Sequence, residues 1–314
     1  MLRGKRVLVT GGAGFIASHI VDKLVNEGCD VVVVDNLKDG ALDNLGKSIN
    51  KIDFKEVDIR DFNALKVLLA DVEIVFHLAS NANVPFSVEN PKYDFETNAD
   101  GTFNILRCSM DNDVQRIIYA STAAVYGEPE YTPIDEKHTI NPISPYGASK
   151  LAGERLGLAY YHTYGIPFVA MRIFNTYGPR QRRYVMYDFL KKLKADPKKL
   201  EVLGTGEQIR DYCYVADTAN AFISSAECEG AIGEVFNIAG GNPISIKELT
   251  ELMIRLLGLD GKTEISYTGK SWKGDIVKLI ADIEKIKNRL QFKPTTKLED
   301  GLAKLIDWFE EEFI

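Results

Sequence analysis

Lys5-Arg6-Val7-Leu8-Val9-Thr10-Gly11-Gly12-Ala13-Gly14-Phe15-Ile16-Ala17 opens a unit that closes on Val31-Val32-Val33-Val34-Asp35. A β-prone apolar run stops at three glycines in four positions. Ile16, Ile20 and Leu24, with Val21 and Val25 beside them, then repeat at helical spacing. The pattern predicts strand, tight turn, helix and second strand. Gly11 and Gly14 let the backbone approach a diphosphate, while the unpaired N–H groups at Phe15 and Ile16 supply attraction from the helix start. Ala17 stands at the third small position, which serves helix–strand packing more than phosphate contact. Asp35 ends the second strand, where a carboxylate accepts from a ribose diol and repels a 2′-phosphate. Glycines at a strand end can serve a turn alone, but the strand, the helix and the closing acid together point to an NAD site.

The 314 residues, 45% hydrophobic and 26% charged, suffice for a nucleotide-binding domain and a smaller second one. A net charge of −7 without a basic cluster argues against a nucleic-acid partner. No apolar run approaches the ~18 residues of a membrane span, and the chain enters its first strand directly, so a cytoplasmic protein with no membrane association is expected. Cys29, Cys108, Cys213 and Cys228 lack paired spacing, and His19, His77, His138 and His162 form no ligand motif. Neither a disulfide nor a metal is expected.

Further along, residues 36–50 read as a polar loop with one helical turn. Residues 52–57 alternate as a strand delivering Asp58-Ile59, an acid and an aliphatic suited to an adenine amino group and ring. Asp61 is placed to cap the next helix. The strand over 73–78 ends in Leu78-Ala79-Ser80, small enough to pass close to a cofactor. A single helical segment is predicted over 91–110. Within it, Asn98 is either a buried residue orienting a loop or a cofactor contact, and spacing alone favours the first.

The strand over 114–120 runs into Ser121-Thr122, and hydroxyls at such an end sit where open α/β sheets bind ligands. Tyr146 and Lys150 are four apart on the following helix and share one face. A free phenol, with a pKa of about 10, is a poor base, but an adjacent ammonium and a cationic nicotinamide favour the phenolate. Tyr187 and Lys191 repeat the spacing without a hydroxyl-bearing strand end before them. From about Asn175 the alternation breaks down. The expected architecture is α/β: a Rossmann-type doubly wound parallel sheet over residues 1–175, and a smaller α/β substrate domain over 176–314 whose segments interleave with it.

Together, Thr10-Gly11-Gly12-Ala13-Gly14-Phe15-Ile16, Asp35-Asn36, Asp58-Ile59, Asn98, Ser121-Thr122, Tyr146-x-x-x-Lys150, Arg172-x-Phe174-Asn175, Arg210-Asp211 and Gly274-Asp275 resemble the extended short-chain dehydrogenase/reductase family. Within it the likeness is to nucleotide-sugar epimerases and dehydratases, most of all UDP-glucose 4-epimerases. The resemblance implies a retained NAD and a nucleotide-sugar substrate, with Asn98 beside the nicotinamide ribose. It implies Tyr146 as base, Thr122 holding the sugar oxygen and Lys150 on the nicotinamide ribose. Asn175 and Arg210 are implied at the substrate diphosphate, and Asp275 at the nucleotide ribose. A homodimer through helices near 92–110 and 146–164 is also implied. Dehydratases resembling this chain carry an acidic pair after the threonine; here Ala123-Ala124 stands, which favours epimerisation. Trp272 replaces a diphosphate arginine, for which Lys273, Arg182 or Arg183 are candidate substitutes, and Leu279 leaves N-acetylated sugars open.

Overall fold

The computed structural model describes residues 2–270 and 276–312. Its first part runs β1 (Arg6–Thr10), α1 (Phe15–Asn26), β2 (Asp30–Asp35), β3 (Asp53–Glu56), α2 (Phe62–Leu68), β4 (Ile74–His77), α3 (Val84–Glu89), α4 (Pro91–Phe95), α5 (Gly101–Asp111), β5 (Arg116–Thr122), α6 (Pro145–Tyr164) and β6 (Phe168–Ile173). There follow β7 (Asn175–Tyr177), α7 (Tyr184–Ala195), β8 (Lys199–Val202), β9 (Ile209–Tyr214), α8 (Val215–Glu227), β10 (Val235–Ile238), β11 (Pro243–Ser245), α9 (Ile246–Leu256), β12 (Glu264–Tyr267), β13 (Lys278–Leu279), α10 (Glu284–Leu290) and α11 (Leu298–Glu311).

Seven parallel strands form the main sheet in the order β10-β6-β5-β4-β1-β2-β3. Both faces are covered, so its inner strands are buried: Val31 to Val34 and all of β5 are out of solvent. The chain winds outward from β1 through β2 and β3, then restarts at β4 on the other side. The sheet therefore changes direction between β1 and β4, where Thr10 pairs with His77. A crevice at such a point is the expected ligand site of an open α/β sheet.

In the second lobe, β9 pairs with β7 and β13 in parallel and with β11 antiparallel. Its core joins α7, α9 and α11 through Phe189, Leu249, Leu252, Leu302 and Leu305. Two features depart from the sequence reading. The segment over 91–110 is broken by a wider π-type turn at Glu96–Asp100, where the Thr102 hydroxyl donates to the Asn98 carbonyl at 2.6 Å. A 3-10 segment, Leu42–Lys51, kinked at Gly46, replaces much of the expected loop. Strand β10 comes from the second half of the chain and extends the main sheet beside β6. No helix among the described residues is long and apolar enough to cross a membrane.

Candidate active site

A cleft of about 930 Å3 runs along the carboxyl ends of the main strands and under the second lobe. Its floor is the first turn. Gly11 has φ +68°, and a Cβ there would meet the Ala79 nitrogen at 2.7 Å. Only glycine lets β1 pass so close to the end of β4. Helix α1 begins at Gly14 with no side-chain cap and no acid in its first turn. The opening N–H groups at Phe15 and Ile16 line the cleft without a carboxylate to satisfy them, as an anion-binding terminus requires.

Asp35 is buried, with Oδ2 accepting from the Ala13 N–H (3.0 Å) and Oδ1 from the Leu37 N–H (2.8 Å). Burial raises its pKa, and these two backbone bonds oppose the rise. Asn36 donates to Asp58 at 2.8 Å. Arg60 forks onto the same carboxylate through Nε (2.9 Å) and Nη2 (2.8 Å). Burial works against ionisation of Asp58, but the Arg60 hydrogen bonds outweigh it and hold the carboxyl at about 2. Ile59, Leu78 and Ala79 line the same stretch.

Beyond this stretch lie Ser121, Thr122, Tyr146 and Lys150, all on the cleft wall. Two elements bring them together. Strand β5 ends at Thr122, whose Oγ1 accepts from the Ala124 N–H at 3.2 Å and whose hydroxyl favours ionisation of the Tyr146 phenol. Helix α6 begins at Ser144, whose Oγ accepts from the Gly147 N–H at 3.1 Å, with Pro145 in the first turn. Lys150 is only 2% exposed. Its Nζ stands 4.2 Å from the Tyr119 ring centroid, and the Tyr119 hydroxyl donates to the Lys150 carbonyl at 3.0 Å. Burial lowers the Lys150 pKa to about 7, and burial likewise pushes the Tyr146 phenol up while the Thr122 hydroxyl opposes the rise. Ser121 donates at 2.6 Å to the buried Glu154, which Arg172 forks at 3.0 and 2.6 Å.

Asn98 is the residue the resemblance puts beside the nicotinamide ribose. It is fully buried and does not line the cleft. Its carbonyl accepts from the Asn81 N–H (2.7 Å), and its amide donates to the Asn81 carbonyl (3.1 Å), Asp94 (3.1 Å) and Ser149 (3.0 Å). These bonds tie the side chain to the loop after β4 and to α6. Asn175 and Arg210 line the far side of the cleft, and the Asn175 Oδ1 is buried without a hydrogen-bond partner among the described residues. Leu279 lines it too. Asp275, Trp272 and Lys273 lie outside the described residues. Tyr187 and Lys191 stay out of the cleft; Tyr187 packs on Phe309 and Trp308 in the second-lobe core.

The segment over 178–184 was not resolved by sequence reasoning. It crosses from the second lobe to the nucleotide half, with Arg180 and Tyr184 both at φ +72°. Arg180 donates to Asp22 (2.7 Å) and Ser18 (3.2 Å) on α1, and His19 meets the Pro179 carbonyl at 3.0 Å. Arg182 donates to Asn44 (2.8 Å) and pairs with Glu312. Arg183 pairs with Asp39, and the Tyr184 hydroxyl donates to the Ala82 carbonyl at 3.0 Å. Arg182 and Arg183 both line the cleft while making these contacts, Arg183 to the nucleotide half and Arg182 to both halves. The only sequence signal was a basic, aromatic stretch without periodicity.

The sequence profile of the family described as GDP-mannose 4,6 dehydratase matches residues 8–305. The chain belongs to that family. It is 39% identical over 310 residues to a putative UDP-glucose 4-epimerase of Methanocaldococcus jannaschii, covering 97% of this chain and 98% of the relative. The crystal structure of UDP-glucose 4-epimerase with UDP-glucose from Thermotoga maritima is 35% identical and superposes with a TM-score of 0.93, covering 98% of this chain and 100% of that one. UDP-glucuronic acid 4-epimerase from Bacillus cereus, in complex with UDP-glucuronic acid and NAD, gives 31% identity and a TM-score of 0.90, over 98% and 99% of the two chains. The family of nucleotide-sugar epimerases and dehydratases thus accounts for the whole length of the fold.

Proposed function

We infer that the protein interconverts the 4-epimers of a UDP-hexose, of the UDP-glucose and UDP-galactose type, with NAD held in the cleft. The observation that carries this reading is the meeting of Thr122, Tyr146 and Lys150 on one wall, with Ala123 and Ala124 directly after the threonine. The residues present fit NAD: a glycine turn without room for a Cβ, an uncapped helix start for the diphosphate, and Asp35 for an unphosphorylated ribose. When bound, NAD supplies a reversible hydride acceptor.

Tyr146 takes the proton of the sugar 4-hydroxyl, Thr122 holds that oxygen by a hydrogen bond, and the Lys150 ammonium favours the phenolate. NAD, held by the glycine turn, the start of α1 and Asp35, would accept the C4 hydride as Tyr146 takes the hydroxyl proton, and would return it to the other face of the 4-keto sugar while Tyr146 gives the proton back. Loss of water to a 6-deoxy product needs further groups that move protons. Two alanine methyls cannot do so, which speaks against the dehydratase reading. Asn175 and Arg210 face the expected position of the substrate diphosphate from the second lobe, and Asp275 is assigned to the nucleotide ribose.

The test mixes purified protein with UDP-glucose, UDP-GlcNAc and UDP-glucuronate, without added cofactor, and follows products by NMR. Interconversion of UDP-glucose with its 4-epimer is expected. A stable 4-keto-6-deoxy product, or turnover only with external NADPH, would overturn the reading.

A further inference from the structure

A fully buried ion pair stands behind the strand end that carries Thr122, and the proposed reaction uses neither partner. Glu154, one turn beyond Lys150 on α6, is forked by Arg172 of β6, with Nε on Oε2 at 3.0 Å and Nη2 on Oε1 at 2.6 Å. Taking both charges out of water is costly, and apolar residues of similar volume in such a place are often as stable or more so. Stability is therefore a weak account of the pair. A bidentate fork does supply what apolar packing lacks, a fixed angle and distance between two elements.

What this fork fixes is the turn after β5. Ser121, the register partner of Arg172 across β5 and β6, donates to Glu154 Oε2 at 2.6 Å. On the other side, Tyr126 follows the short 3-10 turn Ala123–Val125. Its hydroxyl accepts from Arg172 Nη1 at 2.8 Å and donates to Asn237 of β10 at 2.7 Å. Between these two anchors lie Thr122, Ala123 and Ala124, all on the cleft wall. The carboxylate itself belongs to the helix that carries Tyr146 and Lys150. One ion pair thus ties both ends of the Thr122 turn to the helix holding the other two groups.

We propose that Glu154 and Arg172 are positioning residues: by holding Ser121 and Tyr126 on either side of Thr122, their fork sets where the Thr122 hydroxyl stands relative to the Tyr146 phenol. This rests on the roles given to Thr122 and Tyr146 above. Neither member of the pair lines the cleft, so both act through the two anchors and touch no substrate or cofactor. A misplacement of about 1 Å at reacting groups costs on the order of 10²-fold in rate. The groups assigned to the substrate diphosphate stand on the far side of the cleft, so loosening the Thr122 turn strikes kcat and spares KM.

The experiment compares holoenzyme of the wild type, Tyr126→Phe and the double variant Glu154→Leu/Arg172→Met, in which apolar side chains fill the place of the pair. The double variant should retain NAD and a Tm within about 5 °C of wild type, as apolar replacement of a buried pair allows. Its KM for UDP-glucose should stay within about twofold while kcat falls roughly ten- to hundredfold. Tyr126→Phe keeps the ion pair and the ring but releases one anchor, and should lower kcat several-fold at unchanged KM. Crystal structures of both variants should show Thr122 displaced from Tyr146 by roughly 0.5 Å or more, the tolerance of a catalytic constellation. A double variant with wild-type kcat, or with Thr122 unmoved, would make the pair a stability element and overturn the proposal. Should the double variant fail to fold, Tyr126→Phe decides by the same two measurements. If the substrate reading itself is wrong, wild-type turnover fails while the position of Thr122 in the variants still reports on the pair.

Discussion

Tyr146 loses solvent at the cleft wall, which holds its proton, while the Thr122 hydroxyl works the other way. The useful state of this phenol therefore depends on its neighbours, and removal of its hydroxyl deletes the proposed base while leaving the ring that fills the wall. Tyr146→Phe should lower turnover by on the order of 10²–10⁴-fold, the range of general acid–base catalysis, with bound NAD retained. Steady-state kinetics and chromatography of released nucleotide check both halves, and turnover within a few-fold of wild type would remove Tyr146 from its role. His77 makes a different prediction. It lies between the Thr10 hydroxyl (2.7 Å) and the Thr102 hydroxyl (3.0 Å), and burial lowers its pKa from 6.5 to about 3. Below pH 6.5 the unfolded chain binds a proton that the folded one refuses, so the contribution of His77 is complete above 6.5 and fades as pH falls toward 3. Tm should drop across that window more steeply in the wild type than in His77→Gln, and parallel slopes would show that the neutral imidazole is not what acid attacks.

Helix α6 links strand ends to chemistry because it lies unusually close to them. A Cβ on Gly147 would meet the Ala124 carbonyl oxygen at 2.7 Å, and that neighbour is backbone in the turn after Thr122. Gly147→Ala must therefore push the start of α6 away from β5, separating Tyr146 from Thr122. It should cost about 1–3 kcal/mol, as overpacking does, and reduce kcat in the folded fraction. Gly157→Ala crowds the Phe168 ring at the far end of the contact and should lower Tm alone. Equal kcat in the two variants would sever helix position from chemistry. The same element shows what a sequence discloses: Ser144, Pro145 and the Tyr146–Lys150 spacing announced its start and its face because caps and helical period are local. The break at Glu96–Asp100 was illegible, since Thr97, Asn98 and Ala99 are helix-compatible and only their burial against α6 reveals the wider turn. Nor did Val235–Ile238 carry any mark of its partner; the open edge of β6 decided it.

At the scale of the whole molecule, the two lobes are joined across the cleft by the segment over 178–184. Two of its non-glycine residues hold a left-handed backbone, each at a cost of about 1–3 kcal/mol, which persists only when the surroundings over-determine it. What determines it is the set of ties to α1, Asp39, Asn44 and Ala82, the last three lining the cleft. No run of periodic residues could have disclosed this, because each arginine finds its partner from a different element. Because the segment lines the cleft, release of NAD from the proposed site is expected to need some of these ties to open. The Arg183–Asp39 pair has both side chains 43% exposed, so it is worth about 0.2–1 kcal/mol and is screened by salt. Removing it together with the Tyr184 hydroxyl should lower the barrier to release by roughly 1 to 2 kcal/mol, or about five- to thirtyfold in rate. Exchange of bound NAD against isotopically labelled NAD in Arg183→Ala/Tyr184→Phe should quicken by that factor. In the wild type it should quicken more modestly with added salt, which weakens the ion pair but not the tyrosine bond. Exchange rates that ignore both the substitutions and the salt would show that the dinucleotide is retained by the glycine turn and Asp35 alone, with the crossing segment serving only to join the lobes.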